Sequence, residues 1–326
     1  MKLIIQIPCF NEAPTLAITL GALPRKIPGF NKVEWLIIND GSQDETAAVA
    51  KKCGVDHIVS HTRNLGLARA FTTGLNACIE LGADVIVNTD ADNQYNAVDI
   101  PLLVQPLFEK RADIVIGARP ISVIKHFSPL KKLLQNIGSW VVRVASKTNI
   151  PDAPSGFRAI TKNAAMQLSV FNKYTYTLET IIQAGQKNMT IMSVPIRVND
   201  DLRPSRLVKN IPSYIKNSVF TIIRIFIIYK PFYFFFTIAL TILGLGFLLG
   251  LRFLYYYLTG DGQGHIQSVI LCGAMLAIGF QTLLVAFISD ILAANRNLME
   301  DVRYKLQKIK NSSGETSHST TNKEER

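Results

Sequence analysis

The sequence predicts an α/β fold, a mostly parallel sheet flanked by helices, followed by an amphipathic segment and a hairpin of two membrane-spanning helices. Three observations carry this prediction. Short apolar runs recur through the first half of the chain, and each ends in a polar, turn-prone cluster before a helical stretch. Strands of open α/β sheets have this form, with ligands gathering at their carboxyl ends. One run closes in two carboxylates, Asp90 and Asp92, with Gln94 just beyond. Two long apolar stretches near the C-terminus, each with a single charge (Arg252 and Asp290), are parted only by a short polar loop.

The first strand is Leu3-Ile4-Ile5-Gln6-Ile7, running into Pro8-Cys9-Phe10-Asn11-Glu12. A second, Trp35-Leu36-Ile37-Ile38, ends in Asn39-Asp40-Gly41-Ser42-Gln43-Asp44. Ser42-x-x-Glu45 ahead of Thr46-Ala47-Ala48-Val49-Ala50 has the form of a capping box, so a helix is expected there. Arg63-Asn64-Leu65-Gly66-Leu67-Ala68-Arg69-Ala70 follows, then the strand Asp84-Val85-Ile86-Val87 before Asn88-Thr89-Asp90, then Asp113-Ile114-Val115-Ile116 ending in Gly117-Ala118-Arg119.

Carboxylates one residue apart at a strand end offer hard oxygen ligands. Mg²⁺ or Mn²⁺ prefers such oxygens, takes one or two protein carboxylates, and fills its shell from water and substrate phosphates. Asp90, Asp92 and Gln94 are therefore expected to hold Mg²⁺ or Mn²⁺ against a diphosphate.

In combination these motifs resemble the family 2 glycosyltransferases of GT-A fold, and among them the polyprenyl-phosphate sugar synthases of the dolichyl-phosphate mannosyltransferase kind. The resemblance runs from about Lys2 to Arg206. It rests on Ile7 to Glu12, Asp40 to Asp44, Asn64 to Gly66, Asp90 to Gln94, Gly117 to Arg119 and Ser155-Gly156-Phe157-Arg158. Phe10 stands where many relatives have Tyr and Asn39 where they have Asp, so one hydroxyl and one charge are missing.

The resemblance implies a metal-dependent inverting transferase that moves a sugar from a nucleotide-sugar donor to a polyprenyl phosphate acceptor. Pro8, Phe10, Asn11, Glu12, Asp40, Asp90 and Ala91 would hold the nucleotide-sugar. Asp92, Arg119, Arg158 and Asp152 would serve catalysis, Asp152 as the carboxylate to examine for a base, with a turn-stabilising role as its alternative. A phosphate monoester is already largely dianionic at neutral pH, with a second pKa near ~6, so cations matter more than a base. Lys131, Lys132, Arg203 and Arg206 are expected on the lipid phosphate, for which the planar Arg fork is well shaped. Processive polysaccharide synthases share the fold, but their Gln-x-x-Arg-Trp motif is absent, since neither Trp35 nor Trp140 follows an Arg. A dehydrogenase is disfavoured because no Gly-x-Gly-x-x-Gly follows the first strand.

Composition extends the reading beyond residue 206. Of 326 residues 48% are hydrophobic, with the excess toward the C-terminus. Residues 1–206 are expected to form a catalytic domain and 207–230 an amphipathic interfacial segment. Spans then follow at 231–258 and 266–294 around a loop at 259–265, each long enough for a hydrocarbon layer of ~30 Å. Residues 295–326 read as a basic stretch and then a disordered tail from Asn311. The hairpin loop lacks Lys and Arg, whereas both flanks carry them, which places both termini and the catalytic domain in the cytoplasm. No signal peptide is expected, because the first apolar run is short and ends in Pro8. The net charge of +11 suits an anionic bilayer surface, and no nucleic-acid module is apparent. Four cysteines without Cys-x-x-Cys spacing suit a reducing compartment. Gly246-x-x-x-Gly250 is a spacing that allows close helix contact, either between copies, giving a homo-oligomer, or between the two spans of one chain.

Overall fold

The computed structural model describes residues 1–120, 143, 146, 148, 150–170, 176–200, 220, 223–224, 227–260, 264 and 266–324. The chain forms two compact units, Met1–Val219 with Asp301–Arg326, and Phe220–Glu300.

In the first unit, β1 (Lys2–Cys9), β2 (Lys32–Asn39) and β4 (Val85–Asn88) are nearly continuous apolar runs buried along their length, as strands covered on both faces must be. With β3 (His57–Ser60), β5 (Ile114–Ala118), β6 (Arg158–Thr161) and β7 (Ile191–Pro195) they make one seven-stranded sheet ordered β3-β2-β1-β4-β6-β5-β7. All neighbours are parallel except β6, which runs antiparallel to both β4 and β5. The reversal is functional. Arg158, at the start of β6, stands opposite Asn88 at the end of β4 and Ile116 in β5, so the loop leading into β6 arrives at the edge where the parallel strands end.

Helices α1 (Ala13–Ala22), α2 (Thr46–Lys52), α3 (Leu67–Glu80) and α4 (Ile100–Phe108) connect the strands. α3 packs on β1 and β2. Gly74 makes this approach feasible, because a Cβ there would lie 2.5 Å from Gln6 Oε1. The expected capping box is not formed. α2 begins at Thr46, which puts Glu45 at the N-cap rather than one turn in, and the carboxylate of Asp44 accepts the Thr46 N–H instead (3.0 Å). Two further helices, α5 (Lys162–Gln167) and α6 (Thr177–Gln186), flank β6 and β7 in sequence.

The second unit contains α7 (Pro231–Leu258) and the first part of α8 (Ile266–Glu324). Both are long and apolar enough to cross a membrane, and only 11% of the most apolar window of each is buried, unlike the core helix of a soluble protein. A Cβ on Gly246 would lie 3.1 Å from Met275 Cβ, on Gly250 3.0 Å from Cys272 Sγ, and on Gly279 2.7 Å from Leu243 Cγ. The glycine spacing is thus occupied by the second helix of the same chain.

α8 continues past residue 294 to Glu324, so the tail expected to be disordered is its last part. No Gly or Pro interrupts the sequence between Gly279 and Gly314. Within the first unit, Arg303 Nη1 donates to Ser169 Oγ (2.6 Å) and Tyr304 OH to Asn163 Oδ1 (2.9 Å).

Candidate active site

The site is built where β1, β2, β4 and β5 end. The β1 and β2 loops are latched together. Asn11, held at φ 54°, donates its backbone N–H to Ser42 Oγ (3.0 Å) and accepts from Gln43 N–H at its own Oδ1 (2.8 Å). Glu12 N–H donates to Thr46 Oγ1 (2.9 Å), tying the start of α1 to α2. Pro8 remains inside β1 and pairs with Ile38, while Phe10 is 39% exposed at the strand's end.

Asp40 was expected on the nucleoside, and its carboxylate has another task. It is buried and accepts Leu65 N–H (2.9 Å), Gly66 N–H (2.9 Å) and His61 Nδ1 (2.7 Å). These bonds fold the Asn64-Leu65-Gly66 turn onto the β2 loop. The turn sits so close that a Cβ on Gly41 would lie 2.4 Å from the Arg63 carbonyl carbon, at a φ of +69° that favours Gly anyway.

Behind the Asp90-Ala91-Asp92 loop lies a buried polar network. Asn88 accepts from Gln6 Nε2 (2.9 Å) and uses its own Nδ2 to reach the Gly156 carbonyl (2.8 Å) and Tyr176 OH (2.9 Å). Gly156 N–H donates to Tyr95 OH (2.9 Å). Tyr176 stacks on Phe71 at 3.9 Å and Tyr95 on Phe157 at 5.0 Å. Ala91 is buried, and its carbonyl accepts from Thr15 (3.0 Å) and Thr19 (2.9 Å), which fixes the loop between the two carboxylates to α1.

Asp90 is packed against Gly156, where a Cβ would lie 3.0 Å from Asp90 Oδ2. Burial, and then the charge of Asp92, push its carboxyl up to about 7, with Arg119 and Arg158 opposing. Asp92 Oδ1 accepts Gln94 N–H (3.1 Å). A carboxylate whose ionisation is disfavoured by its neighbour's charge is suited to a divalent cation, which relieves that repulsion. Among the described residues no third His, Cys, Asp or Glu joins them, so the rest of a shell falls to water and substrate oxygens.

Arg119, just beyond β5, meets Asp152 in a bidentate pair. Nε donates to Oδ2 (2.7 Å) and Nη2 to Oδ1 (3.0 Å), and the Arg119 backbone N–H also reaches Oδ2 (3.1 Å). Arg119 Nη1 donates to Gln94 Oε1 (3.3 Å), so the amide expected on the metal is joined to the arginine. Burial works against the guanidinium charge, but Tyr95, Asp152 and Asp90 raise its pKa overall. Asp152 itself is fully buried, with both oxygens engaged by Arg119.

Arg158 was expected to serve catalysis, and its guanidinium is engaged by the protein itself. The residue is 0% exposed, donating from Nε and Nη2 to the Ser155 carbonyl (3.0 and 2.6 Å). It also reaches the carbonyls of Ala153 (3.2 Å) and Thr177 (3.1 Å) and Thr180 Oγ1 (2.6 Å). It shapes the loop that carries Asp152. Lys131, Lys132, Arg203 and Arg206 lie outside the described residues, as does most of the amphipathic segment. The chain toward Arg203 departs from a defined point, since Asn199 donates its Nδ2 to the Asn93 carbonyl (2.9 Å) and its N–H to the Gln94 carbonyl (2.9 Å).

Sequence reasoning missed Gln6, Asn88, Tyr95, Tyr176 and Asn199. Gln6 and Asn88 carried a signal, each a polar side chain inside or ending an otherwise apolar strand. The tyrosines and Asn199 carried none, because their partners are distant in sequence.

The chain is 30% identical over 213 residues to the UDP-N-acetylglucosamine–dolichyl-phosphate N-acetylglucosaminyltransferase of Methanococcus voltae, covering 59% of this chain and 83% of that one. It is 27% identical over 206 residues to the undecaprenyl-phosphate mannosyltransferase of Micrococcus luteus, covering 60% and 83%. Glucosyl-3-phosphoglycerate synthase from Mycobacterium tuberculosis, solved with Mn²⁺, uridine diphosphate and phosphoglyceric acid, superposes at a TM-score of 0.54 with 16% identity, covering 69% of this chain and 77% of that one. That likeness establishes the GT-A fold. The pattern of glycosyl transferase family 2 matches residues 4–175, more than half of the chain and the span that holds Asp90, Asp92, Arg119 and Asp152, and the chain belongs to that family.

Proposed function

We propose that the chain transfers a glycosyl group from a nucleotide diphosphate sugar to the phosphate of a membrane polyprenyl phosphate, with inversion. The observation that carries this reading is the meeting, at one sheet edge, of the Asp90/Asp92 pair and the Arg119 fork. Both relatives named above act on polyprenyl phosphates, and two helices able to cross a membrane follow the catalytic unit.

An oxygen of the acceptor phosphate bonds to the anomeric carbon as the bond from that carbon to the donor's phosphate oxygen breaks. The electron pair leaves with the nucleoside diphosphate. A bound Mg²⁺ or Mn²⁺ supplies Lewis-acid stabilisation of that leaving charge. Asp92, with Asp90, would hold it, and Mn²⁺ or Mg²⁺ accompanies uridine diphosphate in the synthase of like fold. Arg119 places a cation beside the same position. Phe10, Asn11 and Glu12 border the donor's nucleoside end, with Pro8 and Asp40 shaping the loops around it. Arg203 and Arg206, on the chain leaving Asn199, and Lys131 and Lys132 take the lipid phosphate. The acceptor's dianion needs no protein base. The hairpin loop, which has no Lys or Arg, supports an orientation with the catalytic unit and both termini in the cytoplasm, and the sequence of residues 207–230 suits an interfacial segment.

The test is a panel of nucleotide-sugars offered with a short-chain polyprenyl phosphate and Mn²⁺. One donor is expected to yield a lipid-linked sugar, lost on chelation and nearly abolished by Asp92→Asn. Undiminished turnover in excess chelator would refute the metal role, and no lipid product from any donor would refute the acceptor.

A further inference from the structure

We infer that Asp152 is the positioning residue of Arg119, holding its guanidinium at the angle at which its two remaining N–H groups meet the departing diphosphate. This rests on the transferase reading above. Of the five guanidinium N–H donors, Nε and one on Nη2 go to Asp152, and one on Nη1 goes to Gln94. One donor on each terminal nitrogen then remains without a partner among the described residues, and two such donors form the fork that grips phosphate oxygens. The Arg119 side chain is 7% exposed and that of Asp152 1%, so neither is a solvated surface charge.

Three features show that the pair is built. The Arg119 backbone N–H also binds Asp152, which fixes main chain and side chain by one carboxylate. The Asp152 loop is in turn held by Arg158 through the Ala153 and Ser155 carbonyls. Gln94 supplies the third tether from the Asp92 loop, so the guanidinium is aligned to the cation site by two independent segments. A bidentate carboxylate also removes rotational freedom that a lone Arg would lose on meeting substrate. Asp152 is thereby assigned a role without proton transfer.

The experiment is a double-variant cycle on the full-length protein in detergent, with Asp152→Asn, Arg119→Gln and both together. Nucleoside diphosphate binding with Mn²⁺ is measured alongside by calorimetry. Asp152→Asn is expected to lower kcat about ten- to a hundredfold with KM for the donor changed far less, since the amide keeps the shape and loses the ion pair. The double variant should be no slower than Arg119→Gln alone, because Asp152 acts only through Arg119. Asp152→Glu, which restores the charge, should recover part of the rate.

Losses that multiply in the double variant would overturn the proposal, as would loss of the acidic limb of the pH–rate profile in Asp152→Asn, the mark of a base. Equal loss of nucleotide binding and of kcat would reduce Asp152 to a loop-folding role and also overturn it. The cycle is read on lipid transfer and, separately, on donor cleavage to water. Failure of transfer with intact cleavage indicts the acceptor assignment and leaves the Asp152 test decisive.

Discussion

Replacing Arg158 separates two roles that the sequence cannot distinguish. Its guanidinium contacts the carbonyls of Ala153, Ser155 and Thr177 and Thr180 Oγ1, all in a fully buried setting. Arg158→Ala leaves the Ser155 carbonyl without its donor, whereas the Thr177 carbonyl, within α6, still accepts from Thr180 Oγ1 (3.2 Å). Thr180 Oγ1 is not left alone, because it also donates to the Tyr176 carbonyl (2.9 Å). A stranded buried acceptor costs about 1–3 kcal/mol and the cavity left by a fully buried long side chain adds to it, so the loss is roughly 3–5 kcal/mol. Burial also lowers the pKa of Arg158, so some of its interaction energy already offsets desolvation. Against an ordinary domain stability of about 5–15 kcal/mol, this leaves the unit marginal. Arg158→Lys keeps the charge but offers three donors from a single nitrogen, which cannot span these acceptors, and should cost roughly 2 kcal/mol. The assay pairs thermal unfolding in detergent with hydrogen exchange over residues 150–157, where protection should fall first. An Arg158→Lys protein that melts like the parent, with KM for the lipid acceptor raised, would refute the loop-pinning role and restore Arg158 to the phosphate.

Asp90→Asn should abolish turnover and yet raise the melting temperature of the metal-free protein at pH 8. A carboxyl raised to about 7 contributes stability that is complete below its unfolded value of 3.8 and lost as pH rises through 7, so above 7 its charge opposes folding. The stabilisation should shrink toward pH 4, and an equal or larger gain at pH 4 would contradict it. Gly250→Cys, in a background where Cys9, Cys53 and Cys78 are replaced by Ser, should cross-link to Cys272 within one chain on mild oxidation, since a Cβ at 250 meets that sulfur. A disulfide-linked dimer in place of the faster-migrating monomer would assign the glycine spacing to self-association.

The local pattern was sufficient for the strands and for the acidic loop. Buried parallel strands must be apolar throughout, and two carboxylates closing such a run stand out against it, so β1, β2, β4, β5 and the acidic loop are legible without tertiary information. The two apolar helices are legible for a related reason, since the solvent they face dictates their composition. The destinations of the charged side chains were not legible. Arg158, Asp152 and Asp40 look in sequence like ligands for a substrate, and in space each meets another part of the protein: Asp40 the turn at Leu65 and Gly66, Asp152 the Arg119 guanidinium, and Arg158 the loop of Asp152, which antiparallel β6 returns to the edge where β4 and β5 end. An ionisable side chain records the need for a partner of opposite character but not that partner's identity. Whether a backbone carbonyl, a carboxylate or a phosphate meets it depends on which distant segments the sheet order brings together, and only the tertiary structure decides that.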